Sequence, residues 1–247
     1  VVRAHVARKD LGAAGDSLQL LIGAHFVVDG HTLVLIARSR RGYGDLCAFI
    51  TQARRRCEKG RYRVELTDLA TLAHCLAIAI PAAEVGTGAE TAASFRQLLD
   101  ACAHLALAIG FSRRLANSDA DRFVRAAAIA ADASERTGKY VPVVALGDIL
   151  HHDKARQPLQ DLLRATRLRD TVTNLGHQLE PNAERTLRPL NALFHLYPYE
   201  LLAHTVMCAA GCVFSLDELR YEYPEEIVPA GHTLASYLRE QTYEGAQ

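Results

Sequence analysis

Three side chains able to do acid–base or metal chemistry arrive together at Asp148, His151 and His152. One carboxylate and two imidazoles suit Zn, Mn or Fe, or proton transfer to a substrate. The residues before them fit that use. Val141, Val143, Val144, Ala145 and Leu146 suit a strand buried on both faces, and Gly147 frees the backbone to turn. In βα folds, ligands and catalytic groups sit at the carboxyl ends of such strands. The competing reading has Asp148 capping the following helix, with two solvated histidines beside Asp153 and Lys154. A single DxxHH spacing does not decide between them.

The elements that must position this cluster follow from periodicity. Val1 to Lys9 reads as the end of a helix and Gly12 to Gly15 as its exit loop. Leu18 to Val28 and Leu33 to Ala37 are apolar runs separated by Asp29-Gly30, a hairpin-turn dipeptide. His25 lies on the first run among apolar neighbours, as a hydrogen-bonded core residue or a metal ligand. Tyr43, Leu46, Cys47, Ile50 and Ala53 have helical spacing, and Thr67-Asp68 reads as a helix start. Cys75 to Ile80 is a buried strand closed by Pro81, with a loop from Ala82 to Ala89. Ala92 to Cys102 is helical, Leu105 to Ile109 is a strand, and Asp119 to Thr137 is a long helix stopped by Gly138. This order predicts an α/β domain with a mainly parallel sheet. Beyond His152 the strands stop. Gln157 to Arg167 and Pro198 to Cys212 read as helices, Ser215-Leu216-Asp217-Glu218 as a helix start, and Tyr221 to Pro229 as an extended aromatic stretch.

Lys plus Arg equals Asp plus Glu at 28 each, so overall charge argues for neither a nucleic-acid nor a membrane partner. A local basic stretch carries that case instead. Arg38, Arg40, Arg41, Arg54, Arg55 and Arg56 could touch phosphates or a protein partner. The 6 cysteines contain no CxxC pair and read as reduced thiols of a cytosolic protein. No apolar run is long enough to span a bilayer, and the opening residues lack a signal peptide's layout. Val1 and Gln247 both read as cut from something longer. There is no GxGxxG, GxxxxGK[ST] or GxSxG string, which removes the basis for dinucleotide, P-loop and hydrolase-elbow readings.

Longer strings carry a family resemblance. Phe214-Ser-Leu-Asp-Glu-Leu-Arg-Tyr-Glu-Tyr-Pro-Glu-Glu, Val228-Pro-Ala-Gly-His-Thr and Tyr237-Leu-Arg resemble the join between the PHP domain and the polymerase core of error-prone bacterial C-family DNA polymerases, relatives of the polymerase III alpha subunit. Upstream agreement includes Leu33-Val-Leu-Ile-Ala-Arg, Gly42-Tyr-Gly-Asp-Leu-Cys, Gly147-Asp148, Leu159-Gln-Asp-Leu-Leu, Pro181-Asn-Ala-Glu-Arg and Leu187-Arg-Pro. The resemblance implies a distorted (β/α)7 PHP-type barrel over residues 1–213, lacking its first strands. Residues 214–247 would form a mainly helical join into a polymerase core.

The resemblance also implies a cluster of up to three metals at the strand ends, which this chain matches poorly. The family's HxH and DH motifs precede Val1. His25 stands where an acidic residue is usual, Ala108 and Gly110 where an acidic residue and a histidine are usual, and Asp148 is kept with His151 and His152 nearby. The expected site is therefore degenerate, holding at most a weak Zn, Mn or Mg, with no catalytic residue in this stretch. Implied for the parent protein are Mg-dependent, DNA-directed DNA synthesis in damage-induced mutagenesis and translesion repair, and a cytoplasmic location. Its implied partners are DNA, other translesion-synthesis proteins and the sliding clamp. A PHP-type metal-dependent phosphoesterase and a non-catalytic interaction module remain as alternatives.

Overall fold

A computed structural model describes residues 1–82, 89–220 and 228–246. Contacts divide the chain into two compact units, Val1–Leu216 and Asp217–Gln247.

The first unit opens with α1 (Val2–Asp10) and a short α2 (Ala13–Asp16), where the sequence suggested a loop. Strand β1 (Gly23–Val28) begins later than its apolar run and turns at Asp29-Gly30 into β2 (His31–Ala37). Both turn residues have positive φ, 48° and 82°, as a tight hairpin requires. Helix α3 (Arg40–Arg55) follows, its first turn capped by the Ser39 hydroxyl accepting from the Gly42 N–H. A side chain at Gly42 would collide with the His74 carbonyl, so this glycine lets the helix lie directly on the chain entering β3. Leu66–Thr71 forms a 3-10 helix at the expected helix start. Then come β3 (Cys75–Ile80), α4 (Ala89–Cys102), β4 (Ala106–Phe111), α5 (Asp119–Thr137) and β5 (Val143–Ala145). Gly138 ends α5 in the left-handed conformation that lacks a Cβ penalty.

The sheet is mixed rather than mainly parallel. Its order is β1-β2-β3-β4-β5; β1–β2 and β2–β3 are antiparallel, while β3–β4 and β4–β5 are parallel. A helical crossover joins β2 to β3 without making them parallel, which apolar periodicity cannot signal. One face packs Leu33, Leu35, Leu107 and Ile109 with Phe49, Phe95, Leu98 and Ala130. The other packs Leu76, Ile78, Ala108 and Val144 with Cys212. Burial on both faces explains why β3 and β4 are continuous apolar runs.

After β5, α6 (Gln157–Leu168), α7 (Val172–Leu175), α8 (Leu190–Leu196) and α9 (Tyr199–Ala210) complete the unit. In the second unit, α10 (Leu234–Gly245) starts at a capping box between Thr233 and Ser236. Residues 221–227, including Tyr221, Tyr223 and Pro224 of the expected extended stretch, lie outside the described residues, as do 83–88 of the expected loop. Among the described residues, no helix is long and apolar enough to cross a membrane.

The buried histidine is His31, not His25. His25 points outward from β1 and is exposed, whereas His31 is 0% exposed. Ser94 donates its hydroxyl hydrogen to the Thr91 carbonyl, so it accepts from His31 Nε2 at 2.9 Å, leaving Nδ1 to accept from the Ala82 N–H at 3.2 Å. Neutral imidazole satisfies both partners. Burial pushes the His31 pKa below 6.5, against the opposing charge of Asp29 and the Thr91 backbone.

A second buried polar node is Asp68. Its carboxylate accepts from both terminal nitrogens of Arg56, from Gln52 Nε2 at 2.9 Å and from the Glu65 N–H at 2.9 Å. The Arg56 guanidinium holds it below the usual carboxylate range.

Two outcomes are expected. Because unfolded His31 takes up a proton more readily than folded His31, stability should hold above pH ~6.5 and fall as pH drops below it. Urea midpoints between pH 7.5 and 5 measure this, and His31→Leu should flatten that part of the profile. Asp68→Asn should cost about 2 kcal/mol in the same assay, because it leaves Arg56 without its charged partner.

Candidate functional site

The carboxyl edge of β3, β4 and β5 gathers the chain's distinctive polar groups. β4 leads into Ser112-Arg113-Arg114, and β5 leads through Leu146-Gly147 to Asp148. Asp148 has φ 45°, a conformation that short polar side chains tolerate better than most. Its two carboxylate oxygens go to different arginines: Oδ2 accepts from Arg114 Nη2 and Oδ1 from Arg185 Nη2, each at 2.5 Å. Arg185 also donates from Nε to the Asp148 main-chain oxygen at 2.9 Å and from Nη1 to Glu180 Oε1 at 2.7 Å.

The surrounding loop is stitched to this pair. Leu150 N–H donates to the Arg185 carbonyl, Leu187 N–H donates to the His151 carbonyl, and His151 bridges Thr186. Asn182 Nδ2 donates to the Arg114 carbonyl at 2.9 Å. Nearby, Glu184 accepts from Lys154 at 2.6 Å and Arg188 at 3.0 Å, and these cations, Lys154 foremost, hold its pKa down.

The histidines do not join Asp148 in a ligand set. His151 Nδ1 is buried without a partner. His152 is exposed and lines a groove of about 570 Å³ with Lys154, Arg188 and His195. His25 sits on β1, the opposite edge of the sheet from β5, about four strand spacings or ~19 Å away. Among the described residues, no three His, Cys, Asp or Glu side chains are gathered as metal ligands. Two guanidinium groups at hydrogen-bond distance also supply the positive charge that a metal would bring to Asp148. At Gly110 a Cβ would lie 2.5 Å from Leu146 Cδ1 and 2.7 Å from Ile80 Cγ1, so a larger residue there would require these side chains to shift.

The basic stretch is likewise dispersed. Arg38 donates to the Gly211 carbonyl at 3.2 Å, and Arg56 is bound to Asp68. Arg40 and Arg41 begin α3 while Arg54 and Arg55 end it, a separation of about 20 Å along a helix. They form two exposed pairs, not one patch.

Arg114 and Arg185 are the residues that sequence reasoning missed. The Arg113-Arg114 pair directly after a buried strand was a usable signal for the first. Arg185 stands 37 residues from its partner in a segment without periodicity, so spacing gave none.

No family model matches the chain. Curated relatives do, along its whole length. The error-prone DNA polymerase of Methylococcus capsulatus is 44% identical over 99% of this chain, and that of Dechloromonas aromatica 42% identical over 100%. The error-prone DNA polymerase of Bordetella parapertussis is 41% identical over 100%. The aligned region is 22%, 23% and 24% of those proteins, so the chain spans under a quarter of their length.

Arg185→Leu should lower the thermal midpoint by about 5 °C, corresponding to about 2 kcal/mol for a unit of this size. Hydrogen exchange should accelerate in 148–151 and 180–188 while β3 stays protected. Equal loosening of both regions would mean that Arg185 does not hold this corner.

Proposed function

We propose that this chain is the PHP-type region of an error-prone DNA polymerase, serving the parent enzyme as a scaffold and not as a metal-dependent nuclease. The observation that carries the non-metallic reading is the double arginine clamp on Asp148. Whole-length similarity to error-prone DNA polymerases supports the parent assignment. On this reading the mixed five-stranded sheet corresponds to part of a (β/α)7 barrel wall. Residues 1–213 belong to the PHP-type domain, and 214–247 form the join to the polymerase core.

The parent would carry out Mg-dependent DNA synthesis in the cytoplasm during damage-induced mutagenesis, together with other translesion proteins and the sliding clamp. This stretch would contribute no catalytic group. A Zn, Mn or Mg ion at Asp148 would have to displace both arginines, and His151, His152 and His25 could not complete its shell from their present positions. Exposed Arg41, Arg54 and Arg55 are available to a DNA backbone or a partner.

Metal content after dialysis should be substoichiometric, and EDTA should leave the thermal midpoint unchanged. Asp148→Asn should lower that midpoint without changing metal content. Stoichiometric Zn or Mn, accompanied by phosphodiester hydrolysis that Asp148→Asn abolishes, would replace this reading with a PHP-type phosphoesterase.

A further inference from the structure

Three arginines, Arg114, Arg122 and Arg125, lie near one corner of the carboxyl edge of β4. The Arg114 N–H donates to Asp119 Oδ2 at 3.0 Å, and Arg122 Nη1 donates to Oδ1 of the same carboxylate at 3.2 Å. The Arg122 guanidinium lies over the Phe111 ring, 5.8 Å from its centroid. Arg125, one turn further along α5, shares with Arg122 the wall of a small cavity against Pro81 and Phe111. Among the described residues, the carboxylates bonded to these cations are Asp119 and one oxygen of Asp148, whose other oxygen belongs to Arg185.

One donor at this corner is unused, and burial together with like charge disfavours the Arg122 cation. Arg114 Nε is buried and has no hydrogen-bond partner. Burial, followed by the charges of Arg114 and Arg125, pushes the Arg122 guanidinium below its ordinary pKa despite Asp119 beside it. The opening turn of α5, where Ser118 makes no side-chain cap, adds partial positive charge at the same end.

We propose that Arg114, Arg122 and Arg125 form a binding site for a phosphate oxyanion at the carboxyl edge of β4. Within a polymerase the occupant is a DNA backbone phosphate, an assignment that rests on the function proposed above. Planar guanidinium forks match the tetrahedral oxygens of phosphate and bind them without a metal. The cavity beside Arg122 and Arg125, about 30 Å³, has room for about one water. A phosphate therefore sits at its mouth with sugar and base outside, which makes binding salt-sensitive and indifferent to base sequence.

The test compares the 247-residue chain with its Arg122→Gln and Arg125→Gln variants, using Arg164→Gln on the exposed side of α6 as a control. The probes are inorganic phosphate, read as thermal midpoint against chloride at equal ionic strength, and fluorescein-labelled oligothymidylate, read by anisotropy. Phosphate should raise the midpoint of the unmodified chain and of the Arg164 variant, with the rise lost in the other two. Oligothymidylate affinity should fall at least about five-fold in both site variants, with a shallower salt dependence. Arg122 packs on Phe111, so its variant could fail to fold; the Arg125 variant then carries the test alone. Protection by phosphate with unchanged oligothymidylate affinity keeps the anion site, assigns free phosphate as its occupant and counts against the DNA assignment. Phosphate acting no differently from chloride, with the variants binding oligothymidylate like the parent chain, overturns the site itself.

Discussion

The carboxylate of Asp148 determines how three separate pieces of chain meet at the end of the parallel strands. Arg114 comes from the segment after β4, Asp148 from the segment after β5, and Arg185 from the polar stretch beyond α7. Both carboxylate oxygens are claimed, and Arg185 adds a bond to the main chain of Asp148, so the arginine orients the backbone as well as the charge. Asp148 is 34% exposed, which moderates the energy of each ion pair by solvent screening. Its weight lies in geometry. A single acceptor with two guanidinium forks fixes the direction of three chains that share no regular hydrogen-bond ladder, apart from the bridge between His151 and Thr186.

That corner depends on the sheet beneath it. β3 and β4 are nearly free of polar side chains because helices or other chain segments cover both of their faces, so polar groups can appear only where the strands end. The antiparallel half does different work. Its hairpin places His31, directly opposite Val28, on the inward face, where the imidazole ties the hairpin to α4 and to the residue after Pro81. A buried neutral imidazole and a buried ionised carboxylate at Asp68 thus sit within the same unit. Each is stable because its local donors and acceptors match its protonation state.

Much of this was legible in the sequence wherever a local signal set the answer. β3 and α5 were read to the residue, because Pro81 and Gly138 mark their ends and their apolar spacing is unambiguous. The Asp29-Gly30 hairpin was legible for the same reason. The inward phase of β1 was not. Ala24 to Val28 contains no charged residue to mark the solvent side, so His25 could be assigned to either face, and the alternation of Phe26 and Val28 places it outside. Sheet direction failed for a related reason, since a strand's apolar pattern does not record which way its neighbour runs. The arginine partners of Asp148 were not legible, because an ion pair between residues 37 apart depends on tertiary approach and leaves no periodic trace.

The arginines also change how the carboxyl edge should be understood. A metal cluster concentrates positive charge with carboxylate and imidazole ligands that must be deprotonated and precisely placed. Guanidinium groups deliver comparable charge from flexible stems and remain protonated across the physiological range. They need no ligand from position 110, where glycine supplies none. On the proposed reading, a strand end organised in this way would keep an electrostatic attraction for phosphate through guanidinium groups alone.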